Sequence, residues 1–490
     1  MGGRWRGRWQ MRGRGPACGP SRWPWSRTER ARGMYDFKGK SVLIVGLGLF
    51  GGGVGAVRFF VRKGAEVTVT DLKSRGELVE TVEALSDLPV HFVLGGHREE
   101  DFRNSDIVVP GPAVHPDSPH LKAAREAGVP VVWRDNLLFL LCRAPIIGVT
   151  GSNGKSTATS LLGDILVHHD PRTLVGGNLG GSLLEEVENV PEDVPVVLEL
   201  SSFQLEALTE VRRSPHIAVV LNFSPDHLDR HGTLRAYAEA KRNILRFQGP
   251  EDLAVLNQDD PEVRCWGKGH PGKVWGFSAE RPVEGVFLRD GKVWGRRNGE
   301  EVVLFERDDL ALPGLHNLYN AMAASAAAWA WGVPPETIRE EVRAFRGLEH
   351  RLEFVREVRG VRYYNDSKAT TPEATLAAIR AFGEGVVLIA GGYDKKLPLD
   401  ELAGEIAHRA KAAVFMGQTG SLLARLVEEA GGESRPRVRL CASLEEAVDE
   451  ASRLAGPGDV VVLSPACASY DMFRNYEERG KKFKDLVMAL

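Results

Sequence analysis

The sequence predicts an α/β protein of three domains, each built on a largely parallel sheet. Three observations carry that expectation. From Met34 onward, short apolar runs alternate with helical stretches, as they do where parallel strands are joined by crossover helices. The alternation falls into three blocks, and 490 residues is about three ordinary domains of chain. A hydrophobic content of 43% is enough for several packed cores.

The first block, residues 34–138, is expected to hold strands at 41–45, 66–70, 106–109 and 130–133. Its first strand runs into Gly46-Leu-Gly48-Leu-Phe-Gly51, and Asp71 closes the next strand twenty residues further on. On its own this is the spacing of a dinucleotide site, with glycines for a tight turn and an acid for a ribose. The second block, 139–347, opens with the strand PIIGVT and continues through VPVVLEL and HIAVVLNF. Asp290-Gly291 and Asn298-Gly299 mark two hairpin turns, because these pairs tolerate the positive φ a two-residue turn demands. An Ala-rich helix is expected from Asn317 to about Trp331. The third block, 348–490, carries GVRYYN, GVVLIAGG, AAVFMG and GDVVVLSPA as strands.

Composition narrows the classes of function. The net charge of −3 gives no bulk attraction to nucleic acid or to an anionic membrane, so anions must be held by local sites. Five dispersed cysteines, Cys18, Cys142, Cys265, Cys441 and Cys467, never form CxxC. That pattern fits a reducing cytosol rather than a disulfide framework or a zinc site. No apolar run approaches the roughly 20 residues that cross a bilayer, so membrane insertion is not expected. Residues 1–33 stand apart: nine arginines face a single Glu29, with four tryptophans among Gly and Pro. They read as a disordered extension or as sequence ahead of the true start, in preference to an RNA-binding arm.

The most informative string is Gly148-Val-Thr-Gly-Ser-Asn-Gly-Lys-Ser-Thr157, a glycine-rich turn between a buried strand and a helix. Backbone N–H groups of Gly151, Ser152, Asn153 and Gly154 can wrap phosphate oxygens there. Lys155 can neutralise them, and the hydroxyls of Ser156 and Thr157 can reach phosphate or Mg²⁺. The string departs from GxxxxGK[ST], since Val149 stands where that pattern puts its first glycine. Glu199 ends the strand VPVVLEL, and His227 follows HIAVVLNF in Asn222-Phe-Ser-Pro-Asp-His-Leu-Asp-Arg-His231. Both lie past strand ends, where the crevice of an open α/β sheet forms, and are candidate metal ligands. Lys241, fourteen residues after His227, reads by itself as a solvated helix lysine.

Together these strings resemble the Mur ligases, and the resemblance runs from Met34 to Leu490. It implies a Rossmann-like UDP-binding domain, a central P-loop ATPase-type domain and a C-terminal Rossmann-like domain. It implies ATP and Mg²⁺ as cofactors and amide-bond formation through an acyl phosphate. By the same resemblance Lys241 carries a carbamate that ligates metal beside Ser156, Glu199 and His227. Asn317 and Asn320 match the segment that contacts adenine, Arg351 the arginine that reaches the γ-phosphate, and Asp366 a ribose contact. Catalysis would rest on Lys155, His227, Lys241 and Arg351. The string LSPACASYDMFRNYEERG is similar to that of the D-glutamate-adding branch. This assigns Lys368, Thr370, Lys395, Ser469 and Tyr476 to D-glutamate and its acceptor, UDP-N-acetylmuramoyl-L-alanine. Leu49, Phe50, Asp71, Pro110 and Gly111 would line the uridine pocket, and Asn178 would approach the phosphate. Tyr476 stands where a Phe is expected, and Phe50 where a smaller polar residue is expected. A cytoplasmic monomer with no nucleic-acid partner is expected. A folylpolyglutamate synthase-like ligase, and an NAD-dependent oxidoreductase using the first glycine turn, remain alternatives.

Overall fold

A computed structural model describes residues 36–47, 52–111, 114–177, 183–431 and 436–490, leaving aside the side chains of 228 and 229. The N-terminal extension, Leu49, Phe50 and Asn178 lie outside the described residues. Three sheets follow one another along the chain. The first has the order β3-β2-β1-β4, with β1 (Ser41–Val45), β2 (Glu66–Asp71), β3 (Val90–Leu94) and β4 (Ile107–Pro110), all parallel. Val42, Ile44, Val67 and Val69 face a helix, Gly52–Arg62, whose Phe59 and Phe60 pack edge to face with each other and with Phe37. Each fully buried Phe contributes about 1.5–3 kcal/mol relative to exposure. Gly53 is required there, because a methyl group would overlap the Leu47 carbonyl and push the helix off the sheet.

Two expectations for this sheet need correction. Residues 130–133 do not form a strand, and only Val131 bridges Val108. The preceding Pro130 removes one ladder donor, and the helix Arg134–Leu141 begins at once. Conversely β3 was not expected. It is a half-exposed edge strand, in which no side chain is fully buried.

The second sheet has nine strands in the order β13-β12-β11-β10-β9-β8-β5-β7-β6. Its parallel part comprises β5 (Ile146–Thr150), β6 (Leu174–Gly177), β7 (Val196–Glu199), β8 (Ile217–Val220), β9 (Leu253–Asn257), β10 (Lys273–Ser278) and β11 (Gly285–Arg289). Antiparallel β12 (Lys292–Arg297) and β13 (Glu300–Glu306) extend it as ribbons. Their turns are the two expected ones: Asp290, Gly291, Asn298 and Gly299 all have positive φ. The Ala-rich helix, Leu315–Trp331, begins two residues before its expected start and is buried along Asn317 to Ala328. Small side chains let it lie close against the helix Lys155–His169 and the sheet.

The third sheet has the order β14-β15-β19-β16-β17-β18, formed by β14 (Glu353–Val358), β15 (Val361–Asn365), β16 (Val386–Ala390), β17 (Ala410–Phe415), β18 (Arg437–Leu440) and β19 (Val460–Leu463). Only β14 runs antiparallel. Among the described residues no helix is long and apolar enough to cross a membrane. In the first two sheets a strand bearing a glycine-rich turn, β1 or β5, sits where the strand order reverses. Ligands of open α/β sheets bind at such points.

Candidate active site

The phosphate loop is held from two sides by the protein itself. Gly154, at φ +82°, caps the helix Lys155–His169, and a side chain there would overlap the Asn320 amide. The Ser152 hydroxyl donates to the Ser224 carbonyl at 2.9 Å and accepts from the Ser224 N–H at 2.9 Å. The Asn153 N–H donates to Asn222 Oδ1 at 2.8 Å, and Asn222 Nδ2 returns a bond to the Asn153 carbonyl at 3.0 Å. The segment after β8 therefore templates the loop, which is how a turn with so many backbone donors keeps its shape.

Two lysines converge on one carbonyl of this loop. Lys155 Nζ donates to the carbonyls of Gly151 and Ser152, both at 2.9 Å. Lys241 Nζ donates to the same Gly151 carbonyl at 2.7 Å and lies 4.7 Å from the Tyr237 ring centroid. Lys241 is only 1% exposed, so it is no solvated helix lysine. Burial drives its pKa well below the usual lysine value, the neighbouring Lys155 lowers it further, and Asp226 opposes both. Lys155 is also lowered, chiefly by burial; Glu199 and Asp226 raise it and Arg351 lowers it. Two buried ammonium groups sharing one acceptor is an unfavourable state, and neutralising one of them relieves it.

Glu199 ends β7 and is 2% exposed. The helix that follows it is fixed by a capping box: the Ser201 hydroxyl accepts from the Gln204 N–H, and Gln204 Oε1 accepts from the Ser201 N–H at 2.8 Å. His227 is exposed and has φ +52°, with Asp226 Oδ2 3.4 Å from its Nε2. Phe203 lies against both His227 and His231, at ring separations of 5.0 and 5.3 Å, and His231 Nε2 is 3.0 Å from the Ser202 hydroxyl. Ser156 and Thr157 are buried in the first helical turn.

The third domain supplies the opposite wall. Arg351 Nη2 donates to the Ser156 hydroxyl at 3.2 Å across the domain gap, while its buried Nε has no hydrogen-bond partner. The Lys368 pKa is lowered by burial and by Arg351, with Glu199 acting against them. Asp366 accepts from the Leu352 N–H at 3.1 Å and from the Ser464 hydroxyl at 2.7 Å. Burial pushes its carboxyl up to about 7 despite those bonds. Asn317 Nδ2 donates to the Pro313 carbonyl at 2.7 Å and Asn320 Nδ2 lies 3.4 Å from Asn317 Oδ1, so Asn317 braces the Asn320 amide that lies against Gly154.

A second cluster lies within the third domain. Lys395 Nζ donates to the Thr370 carbonyl at 2.9 Å and hydroxyl at 3.2 Å. Ser469 is buried nearby, on the loop that contains Cys467 and Ala468. Arg479 joins that loop to the one carrying Lys368: its guanidinium donates to the Ser367 hydroxyl at 3.0 Å, the Ser367 carbonyl at 2.8 Å and the carbonyls of Cys467 and Ala468 at 3.2–3.3 Å. It is 1% exposed, and burial pushes its pKa down to about 10. Sequence reasoning missed Arg479, Asp226 and Tyr237. An arginine in the first turn of a polar helix looks like a surface charge, although Phe483 and Val487, four and eight residues on, put it on that helix's buried face. Tyr476 packs near His350, and its backbone carbonyl accepts from the Ser367 hydroxyl at 2.8 Å.

The first sheet presents a different site. Asp71 accepts from the Leu47 N–H at 2.8 Å and the Lys73 N–H at 2.9 Å, fixing the chain just after β1. Gly111, following Pro110, donates to the Val45 carbonyl and closes the far side.

The residues present suit a nucleoside triphosphate. Lys155, Arg351 and Lys368 are set against the carboxylates of Glu199 and Asp226, and Arg351 Nε is a buried donor with nothing to bond. Ser156 and Glu199 are the hard oxygen donors Mg²⁺ takes. Among the described residues no group of three or more His, Cys, Asp or Glu side chains could hold a metal by itself. An ion here would share its ligands with phosphate, as Mg²⁺ usually does.

Comparison with known proteins agrees with this architecture. Residues 40–133 match the Mur ligase MurD-like N-terminal domain, 149–328 the Mur ligase middle domain, and 350–467 the Mur ligase glutamate ligase domain. The chain belongs to the Mur ligase family. Within it, the chain is similar to proteins named UDP-N-acetylmuramoylalanine--D-glutamate ligase. That of Roseiflexus sp. (strain RS-1) is 47% identical over 92% of this chain and 98% of its own. That of Symbiobacterium thermophilum is 44% identical over 91% and 97%. The UDP-N-acetylmuramate-alanine ligase MurC of Thermotoga maritima shares the fold, with a TM-score of 0.59 at 20% identity over 92% of this chain and 99% of its own.

Proposed function

We propose that this chain is an ATP-dependent ligase that joins D-glutamate to the L-alanine carboxyl of UDP-N-acetylmuramoyl-L-alanine, releasing ADP and phosphate. One observation carries the reading most directly. Arg351 of the third domain meets Ser156 of the phosphate loop, bringing a guanidinium to the loop that already holds Lys155 and Lys241. Cations from two domains around one phosphate loop are what phosphoryl transfer to a substrate held between those domains requires.

The substrate carboxylate attacks the γ-phosphorus of ATP, the bond to the bridging oxygen breaks, and ADP leaves. The D-glutamate amine then attacks the acyl carbon and loses a proton, and phosphate departs with the former carboxylate oxygen. Lys155 and Arg351 neutralise charge on the transferring group; a positioned donor is worth most in such a buried site. Mg²⁺, held by Ser156, Glu199 and His227, would supply further charge neutralisation. The crowded, buried Lys241 amine is suited to adding CO₂ with loss of a proton, since the product is a carboxylate beside Lys155 in place of a second cation. That carbamate offers the metal a hard oxygen ligand. Lys395, Thr370 and Ser469 suit the carboxylates of D-glutamate, with Lys368 and Tyr476 alongside. Asn317 and Asn320 face the base, and Asp366 the ribose. Leu49, Phe50, Asp71, Pro110 and Gly111 take the uridine end, and Asn178 the phosphate. The enzyme works as a cytoplasmic monomer.

The test is a coupled phosphate-release assay with UDP-N-acetylmuramoyl-L-alanine and each candidate amino acid in turn. Release that depends on both the uridine substrate and D-glutamate is expected. Equal release with L-glutamate and a folate acceptor, or none with D-glutamate, sinks the reading.

A further inference from the structure

Arg351 sits in a backbone turn that its own residues do not favour. His350 has φ +63° and Leu352 φ +44°, both in the left-handed region where side-chain-bearing residues are strained. Such a turn persists only when its surroundings over-determine it. Part of the restraint is local to the domain: the Leu352 N–H donates to Asp366, and the His350 carbonyl accepts from the Lys368 N–H at 3.0 Å. The remainder comes from far along the chain, from the C-terminal helix Tyr476–Ala489.

That helix touches the turn at three levels. At its first turn, Tyr476 meets the His350 ring edge-on at 6.0 Å. One turn on, Gly480 leaves room for the ring, and a methyl at that position would overlap His350 Nδ1. Asn365 Nδ2 lies 2.8 Å from His350 Nδ1 and 3.3 Å from the Gly480 carbonyl, fastening ring and helix together. Another turn on, Lys484 Nζ donates to Glu349 at 2.6 Å and to Glu353 at 2.8 Å, carboxylates on either side of Arg351. Glu353 also accepts from the His350 N–H at 3.0 Å. Burial lowers the His350 pKa, and the nearby Glu353 and Glu349 only partly offset that.

We infer that the C-terminal helix is a latch for Arg351, with Gly480 and Lys484 as positioning residues that hold the His350–Leu352 turn so that the guanidinium reaches the phosphate loop. The inference rests on the proposed γ-phosphate role of Arg351 and adds the device that aims it. Neither positioning residue touches a substrate in this account. Their effect on the reaction passes through Arg351.

Gly480→Ala is the direct test, measured on the full chain in the phosphate-release assay. A shift of the turn by about an ångström lowers kcat by up to the order of 100-fold, the usual cost of misplacing a catalytic group. KM for the uridine substrate stays within a factor of two or so, because that pocket lies in the first domain. The same substitution in an Arg351→Lys background changes kcat little, since the group being aimed is already gone. Combining Gly480→Ala with His350→Gly, which removes the ring the methyl would overlap and suits the positive φ at that position, restores part of kcat. Should Gly480→Ala fail to fold, Lys484→Met releases the outer level of the latch, and a several-fold fall in kcat that vanishes in the Arg351→Lys background is expected. An unchanged kcat in whichever variant folds, or an equal loss in both backgrounds, overturns the latch. An Arg351→Lys enzyme with full kcat instead overturns the γ-phosphate role itself.

Discussion

Two glycine-rich turns, one after β1 and one after β5, occupy the same topological place in successive sheets and are built from opposite charges. The turn after β5 is surrounded by Lys155, Lys241 and Arg351, and its backbone is templated by Asn222 and Ser224. The chain just after β1 is fixed by a carboxylate, Asp71, which accepts from the Leu47 N–H. Glycine content and position are shared; the side chains that arrive from elsewhere decide what each turn can hold. Converging cations suit a triphosphate that must be split, whereas a carboxylate that fixes a backbone N–H does not.

That contrast can be broken by exchanging loss of rate for loss of binding. Lys155→Ala is expected to cost most, on the order of 100- to 1,000-fold in kcat, the loss seen when one preorganised donor is removed. Steady-state kinetics with an unchanged melting profile check it. Lys241→Ala should lose nearly all ligation and regain part of it with added acetate, which fills the metal-ligand position with a hard oxygen. Full activity without acetate would remove the carbamate from the account. At the other turn, Asp71→Asn leaves one pinned N–H without its acceptor. KM for the uridine substrate should rise about tenfold, consistent with a cost of 1–3 kcal/mol for such a group, with KM for ATP unmoved. A fall in kcat at constant KM would mean the two turns are not divided as described.

The smallest effect concerns pH. Asp366 has its folded carboxyl raised to about 7 by burial, so the folded state holds a proton that the unfolded state releases nearer the ordinary aspartate value of 3.8. Stability from this group is present below that lower value and is lost as pH rises through about 7. Asp366→Asn should flatten the slope in that window by at most about 1.4 kcal/mol per pH unit. Denaturant melts from pH 4 to 8 measure it, and an identical slope in both proteins rules the group out.

Much of the architecture was legible in sequence because strands and phosphate loop advertise themselves locally. β5, β7 and β8 are continuous apolar runs, and Asp290-Gly291 and Asn298-Gly299 can hardly be anything but turns. The half-exposed edge strand β3 was not legible, since VHFVL offers no clear burial alternation. Lys155 could be read from its turn, whereas Lys241 needed the resemblance. A local signal for Lys241 did exist. Tyr237, Lys241, Ile244 and Leu245 share the buried face of one amphipathic helix, and a lysine on an apolar stripe has no solvent to go to. Arg479 shares a buried stripe with Phe483 and Val487 in the same way, but the carbonyls and the Ser367 hydroxyl that hold it lie in other segments and could not be read locally.

The strand order of the third sheet bears on when the enzyme becomes active during its own synthesis. β19, Val460–Leu463, lies between β15 and β16, so the middle of that sheet stays open until almost the whole chain has been made. The first two sheets contain no strand from beyond Glu306 and can close while the ribosome is still translating. Domains fold in order of emergence at about 5–20 residues per second, and the third must wait with β15 and β16 each exposing an unpaired, strongly apolar edge. That interval is when the nascent chain is most open to aggregation and most in need of a chaperone. Ligation can begin only after β19 slots home and the helix behind it follows.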